Sequence, residues 1–256
     1  MILAIDIGNT NTVLGFYDGE KLSYSHRFTT KSKVTTDELK AKFYNILNFA
    51  EIKREQVDAV IIASVVPNLN QVYADLVKDS FKSKAFFVKD LLDDFPIGIA
   101  IGNKREVGDD RIINALAAYD RFAEDVIVID FGTAITFDVV TKEKGYVGGV
   151  IYPGVNLALE YLAVATAKLP KVELRVTKEV TGQNTIHAIE SGIFNGYMVL
   201  LEGMVAKLQK EHGRDFKIIT TGGMGELFYD NSEIIEFHDS DLTLKGLKIL
   251  YEKKCR

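Results

Sequence analysis

Two short segments carry residue types suited to one kind of chemistry. "DIGNTNT" starts at Asp6 and "DFGTAIT" starts at Asp130, and both follow apolar runs. They align as D-x-G-[NT]-[TA]-x-T. A strand that turns tightly through glycine presents consecutive backbone N–H groups, and threonine hydroxyls and asparagine amides add side-chain donors. Such a loop suits phosphate oxygens. An aspartate beside it repels phosphate unless a cation lies between them, and hard cations take carboxylate oxygens. One D-x-G at a strand end is commonly just a turn, but two copies at matching places favour phosphate binding. One loop per lobe, facing across a cleft, would clamp a nucleoside triphosphate with its metal.

Other nucleotide signatures are missing. There is no GxxxxGK[ST], and "GGMGELF" at 222–228 fails the GxGxxG spacing. The segment "TTGGMGE" still follows a strand and opens a helix. Its glycine pair would admit a flat ligand such as adenine, and a plain strand-to-helix turn explains it equally well. A third constellation is "EVGDDRIINALAAYDRF". Ile112, Ile113, Leu116 and Ala117 have helical spacing, which puts Asp109, Asp110 and Arg111 at a helix start. Aspartate is a favoured N-cap, and acids suit the positive end of the dipole. That dipole also keeps a carboxylate ionised, as a general base requires. Spacing alone leaves cap and base both open.

The elements that must position these groups follow from periodicity. Strands are expected at 2–5, at 12–17 and, after the turn signal Asp18-Gly19, in "EKLSYSHRF". "TTDELKAKFYNILNFA" reads as a helix, with Thr35 and Glu38 spaced as a capping box. A buried strand "VDAVIIASVVP", a helix near 69–82 and a strand "KAFFVKD" complete a β-β-β-α-β-α-β order. The second half begins the same way, with "DVIVIDFG", "AITFDVV" and "GYVGGVIYPG". Helices are expected near 154–166, 185–212 and 223–229, with a strand "FKIITTGG" before the last of these. "DLTLKGLKILYEKK" forms the final helix. A repeat this long is a duplicated lobe rather than a solenoid period. The boundary is placed near residue 115, giving lobes 1–115 and 116–256.

Bulk properties narrow the partners. The 256 residues suffice for one large domain or two modest lobes. A net charge of -5, with no basic run, argues against nucleic acid. Cys255 is the sole cysteine and the four histidines are scattered, so neither a disulfide framework nor a zinc site is expected. The N-terminal apolar run is broken by Asp6 and lacks a basic n-region, unlike a signal peptide. No apolar run reaches membrane-spanning length. A cytoplasmic protein without membrane partners is expected.

With these residues in hand, the sequence resembles the type III pantothenate kinases of the acetate and sugar kinase/Hsc70/actin superfamily. The likeness runs nearly end to end. It rests on "DIGNTNT", "SVVP" at 64–67, "EVGDDRI" for the family's G-x-D-R, "IDFGTAITFD", "GGVIYPG" at 148–154, "TAKLP" at 166–170 and "TTGG" at 220–223. It implies an α/β protein of two similar ribonuclease H-like lobes, the actin-like ATPase fold. Each lobe would be a mixed sheet flanked by helices, with an interlobe cleft. The implied reaction is ATP-dependent phosphorylation of pantothenate, the first step towards coenzyme A.

By motif position, Asp6, Ile7, Gly8, Asn9, Thr10, Asn11, Thr12 and Val13 would bind ATP, joined by Thr133. Gly108, Asp109, Asp110 and Arg111 would hold pantothenate, with Asp110 as proton acceptor and Asp109 at the motif's variable position. Thr185 would touch substrate. Asp130 would hold potassium or ammonium, and magnesium is also implied. Arg111 is expected to grip the substrate carboxylate through charge-assisted hydrogen bonds. Family members often carry Tyr-x-Asn-Pro-x-Glu-Val before G-x-D-R. Asn103, Glu106 and Val107 fit that pattern, while Ile101 and Lys104 replace its tyrosine and proline. A homodimer is expected through the 185–212 helix, whose Ile186, Ile189, Ile193, Met198, Leu200, Leu201 and Val205 spread over more than one face. Two rivals remain: another small-molecule kinase on this fold, and a transcription accessory factor related to the family. The acidic charge disfavours the latter, and the intact G-x-D-R favours activity.

Overall fold

The computed structural model describes residues 1–81 and 83–255. Strands β1 (Ile2–Ile7), β2 (Asn11–Asp18) and β3 (Lys21–Thr29) form an antiparallel meander, with Gly19 at φ 57° in the turn between β2 and β3. Helix α1 (Thr36–Phe49) starts at the expected capping box: Glu38 N–H donates to Thr35 Oγ1 at 3.2 Å, and Thr35 N–H donates to Glu38 Oε2 at 2.8 Å. Strand β4 (Ala59–Ser64) is buried throughout and runs parallel to β1. Helix α2 (Pro67–Phe81) leads to β5 (Ala85–Phe87). The expected end of α2 at residue 82 lies outside the described residues. Pro67 opens α2 as well as ending the strand run, since the first helical turn needs no N–H from it.

Helix α3 (Asp109–Phe122) precedes β6 (Val126–Phe131), β7 (Ala134–Thr141) and β8 (Gly145–Pro153). Then come α4 (Val155–Ala165), α5 (Thr185–His212), β9 (Lys217–Gly222), α6 (Gly225–Tyr229), the two-residue β10 (Phe237–His238) and α7 (Leu242–Lys254). The sheets order as β3-β2-β1-β4-β5 and β8-β7-β6-β9-β10, so the second repeats the first strand for strand. The sequence missed β10, because a two-residue parallel edge strand carries no periodicity.

The chain divides into two compact units. The first comprises Met1–Arg121, Glu143–Tyr146 and Asp241–Arg256; the second comprises Phe122–Lys142 and Val147–Ser240. A single cut near residue 115 would fall inside α3 and would assign α7 to the second half. In the structure α7 packs in the first unit, against β1, β2 and β4. In that unit, Leu3, Ile5 and Ile7 of β1 pack with Val60 and Ile62 of β4, Phe43 of α1 and Tyr73 of α2. The second core gathers Ile127 and Ile129 of β6, Phe137 of β7, and Phe194 and Leu201 of α5. Among the described residues, no helix is long and apolar enough to cross a membrane.

Candidate active site

In the first unit the turn after β1 is closed by Gly8 N–H donating to Asn11 O at 3.0 Å. Asn9 and Thr10 are exposed at its tip, and Asp6 is half-buried opposite Val13. Ile7 is buried in the core. Thr12 is fully buried too, with its hydroxyl 2.9 Å from Thr30 Oγ1 and accepting from Tyr73 OH at 3.5 Å. The Thr12 side chain is therefore turned into the core, and the exposed polar residues of this turn are Asn9 and Thr10.

The "SVVP" segment connects this loop to the G-x-D-R motif. Val65 N–H donates to Ile7 O at 3.0 Å, and Ser64 N–H donates to Asp109 Oδ2 at 2.9 Å. Asp109 is 1% exposed, and its Oδ1 is buried without a hydrogen-bond partner. Burial pushes its carboxyl up from 3.8 to about 6, against the opposing pull of the Ser64 N–H. Neither aspartate serves as the helix N-cap. Gly108 stands at that position, its carbonyl accepting from Ile112 N–H at 3.3 Å. Asp110 instead accepts the Arg111 N–H on Oδ1 at 2.8 Å. Burial also raises the Asp110 carboxyl, opposed by the Arg111 N–H and guanidinium charge.

The motif's glycine has a steric cause. A Cβ on Gly108 would lie 2.5 Å from Asp110 Oδ1, so a side chain there would push the carboxylate out of this position. Upstream, Asn103 caps a short 3-10 turn, Lys104–Glu106, accepting from Arg105 N–H at 3.1 Å and donating to Glu106 at 2.8 Å. Lys104 opens that turn, and Ile101 lies half-buried before it.

In the second unit, Gly132 N–H donates to Ala134 O at 3.1 Å, leaving Gly132 and Thr133 exposed at the tip. Asp130 is half-buried opposite Thr136, whose hydroxyl donates to Asp138 Oδ2 at 2.8 Å. Gly222, the first glycine of "TTGG", has φ +86°, and a Cβ there would lie 2.5 Å from Asp130 Oδ1. The sequence alone leaves this glycine between an adenine contact and a plain strand-to-helix turn. Its place beside Asp130 was hidden because β6 and β9 are adjacent only in the sheet. Among the described residues no three His, Cys, Asp or Glu side chains gather as a metal cluster. A cation at Asp130 would thus be held by one carboxylate and neighbouring backbone or ligand oxygens, a donor set suited to a hard ion. A Cβ on Gly222 would crowd both that carboxylate and the Phe131 backbone.

Beyond the second glycine, a pocket of about 370 Å³ is lined by Asn156, Leu159, Glu160, Lys171, Leu174 and Met224 among others. Thr185 is exposed at the first turn of α5, where Asn184 caps the helix by accepting from His187 N–H at 2.9 Å.

The family model described as type III pantothenate kinase matches residues 2–207. A type III pantothenate kinase of Paramagnetospirillum magneticum is 42% identical over 253 residues, covering 99% of this chain and 97% of its own. The one from Halalkalibacterium halodurans is 38% identical, covering 99% of each. Among solved structures, a candidate Baf family transcriptional activator from Campylobacter jejuni superposes with a TM-score of 0.61 at 20% identity, covering 99% of this chain and 98% of its own. A candidate 2-dehydro-3-deoxygalactonokinase from Sinorhizobium meliloti gives 0.64 at 13%, covering 99% and 97%. At those identities the structures establish the fold alone, whereas the family match and the near-full-length relatives establish descent: this chain belongs to the type III pantothenate kinase family.

Proposed function

We propose that this protein transfers the γ-phosphoryl group of ATP to the primary hydroxyl of pantothenate, giving 4'-phosphopantothenate, with Asp110 as the base. Phosphoryl transfer asks for positioning and charge neutralisation more than for covalent chemistry. The carrying observation is the Asp110 carboxylate at the start of α3. It is oriented by the Arg111 N–H and raised by burial, so that it can accept the hydroxyl proton as the P–O bond forms. Asn9, Thr10 and Thr133, exposed at the two turns, offer backbone and side-chain donors to the triphosphate. The pocket beside Met224 is of a size and lining to receive the adenine. Arg111 holds the pantothenate carboxylate.

Asp130 would hold a monovalent cation, potassium or ammonium, and magnesium would arrive with the nucleotide. These ions supply charge neutralisation at the phosphates. The test is an assay of purified protein with ATP, magnesium and potassium, with and without pantothenate, reading phosphopantothenate by mass. ATP consumption without a pantothenate-derived product would overturn the reading.

A homodimer through α5 belongs to the same reading. Gly192, Gly196, Val199 and Gly203 fall on one exposed stripe of that helix, and a Cβ on any of the three glycines would meet nothing within 4 Å. Glycine in a helix interior costs about 0.5–1 kcal/mol each, a cost that close approach of a second helix explains. Ile151, Tyr161 and Val164, exposed at 62%, 70% and 84%, add apolar surface in the same unit. Gly196→Leu is expected to fold and to sediment as a monomer; a parent that is already monomeric at micromolar concentration would end this part of the reading.

A further inference from the structure

Residues 143–146, from the β7–β8 loop into the start of β8, belong to the first unit. Tyr146 N–H donates to Gly98 O at 2.9 Å, and Ala100 N–H donates to Tyr146 O at 2.8 Å, so Ile99 and Tyr146 form an isolated parallel bridge. The two backbones approach so closely that neither flanking residue can carry a side chain. A Cβ on Gly98 would lie 2.3 Å from Lys144 O; one on Gly145, where φ is +71°, would lie 2.2 Å from Gly98 O. The clasp buries the Tyr146 ring to 1% exposure, and the Arg111 guanidinium carbon lies 6.0 Å from the centre of that ring. A guanidinium at that range of an aromatic face is attracted by the ring quadrupole.

The geometry points to Tyr146 as a positioning residue for Arg111: the Gly98–Gly145 clasp fixes the ring, and the ring fixes the guanidinium that takes the substrate carboxylate. This rests on the proposed role of Arg111. A clasp of two glycines is a costly way to place a merely space-filling tyrosine, since both positions forfeit side chains and Gly145 adopts a left-handed backbone. The same clasp also anchors the start of the segment that runs through Ile101 and Lys104 to G-D-D-R. Tyr146 is thus an aromatic ring beside the motif in a chain that lacks the tyrosine common at 101.

The experiment compares pantothenate with pantothenyl alcohol, in which a hydroxymethyl group replaces the carboxylate, on the full-length protein. Tyr146→Leu is expected to raise KM for pantothenate about 2- to 30-fold, the range of one cation–ring contact, with kcat little changed. KM for the alcohol should stay within about 2-fold, because no carboxylate is there to be positioned. Tyr146→Phe keeps the ring and should match the parent on both. If Tyr146→Leu does not fold, Tyr146→Met, of similar volume but unbranched and more adaptable in a tyrosine-shaped site, provides the same comparison. Equal losses on both substrates, or no loss on either, would overturn the inference. Arg111→Met separates the two readings: if it fails to discriminate carboxylate from alcohol, the role of Arg111 itself is wrong, whatever Tyr146 does.

Discussion

The two D-x-G loops look equivalent in sequence and differ in register. In the first, four residues (8–11) lie between the paired Ile7 and Thr12; in the second, three (132–134) lie between Phe131 and Ile135. Side chains alternate faces along a strand, so one extra residue moves the aligned threonines to opposite situations. Thr136 pairs with Asp130 and shares its face. Thr12 pairs with Ile7, so it turns away from the Asp6 face and into the core, and Val13 stands where Thr136 stands in the other unit. A duplicated topology has thus kept its strand order while its two turns diverged. The first unit combines its loop with the acids of α3. The second sets its loop beside the bare backbone of Gly222, against Asp130.

If the units divide the work in this way, the largest effect falls on the first. Asp110→Asn should fold normally, bind ATP and lose about 10²- to 10⁴-fold in turnover, because the amide cannot accept a proton. Single-turnover assays and nucleotide titration measure the two halves of that statement. An active Asp110→Asn enzyme would remove the base from the first unit and erase the contrast.

The next effect belongs to the second unit. Asp130→Asn should weaken the dependence of activity on potassium or ammonium and lower turnover by about 10²-fold, the scale of one lost preorganised charge or donor. Full activity of the parent in sodium-only buffer, with no change on mutation, would mean that Asp130 holds no cation.

The sequence of elements along the chain, the long helices and both D-x-G turns were legible because they rest on local signals. Examples are the continuous apolar run of β6, the capping box at Thr35 and Pro67 at the end of the β4 run. Three features were not legible, and each depends on contacts between residues distant in sequence. Gly222 meets Asp130 across a parallel pair of strands, Ser64 binds Asp109 across 45 positions, and Gly98 meets Gly145 through the β7–β8 connection. The return of α7 to the first unit is of the same kind. Its apolar face declared a helix, but nothing local says which sheet it covers. The turn register escaped too, since the shared motif fixes the residue types and not the number of residues between paired positions.

That register difference is itself open to test. Thr12→Val should cost about 1 kcal/mol of stability for its lost hydroxyl contacts, while KM for ATP stays within about 2-fold. Thr133→Val should do the reverse, raising KM for ATP with little change in thermal unfolding, because its side chain is exposed. Matching behaviour of the two variants would mean that the loops are functionally alike despite their registers.

The smallest effect on rate is expected at Asp109, next to the base. In Asp109→Asn the new amide can keep the bond from Ser64 N–H through its carbonyl oxygen, and the position does not cap the helix, so activity should stay within a few-fold of the parent. Stability is where the substitution shows. The folded carboxyl titrates at about 6 rather than its ordinary 3.8, because burial opposes ionisation and Asp110 and Asp90 add repulsion, while Ser64 N–H and Lys89 only partly compensate. Between those values the folded state binds more protons than the unfolded one, so stability must fall as pH rises. The protonated group's advantage is complete below about 3.8 and spent above about 6, a span worth roughly 3 kcal/mol. The amide of the variant has no proton to lose, so this share of the slope disappears from urea unfolding measured between pH 4 and pH 7 at one protein concentration. Above pH 6 the variant also avoids the cost of the buried charge, offset by about 1–3 kcal/mol if its amide N–H finds no acceptor where Oδ1 had none. An unchanged slope would mean that Asp109 is ionised at an ordinary pKa, and an inactive Asp109→Asn with normal folding would make it, and not Asp110 alone, part of the chemistry.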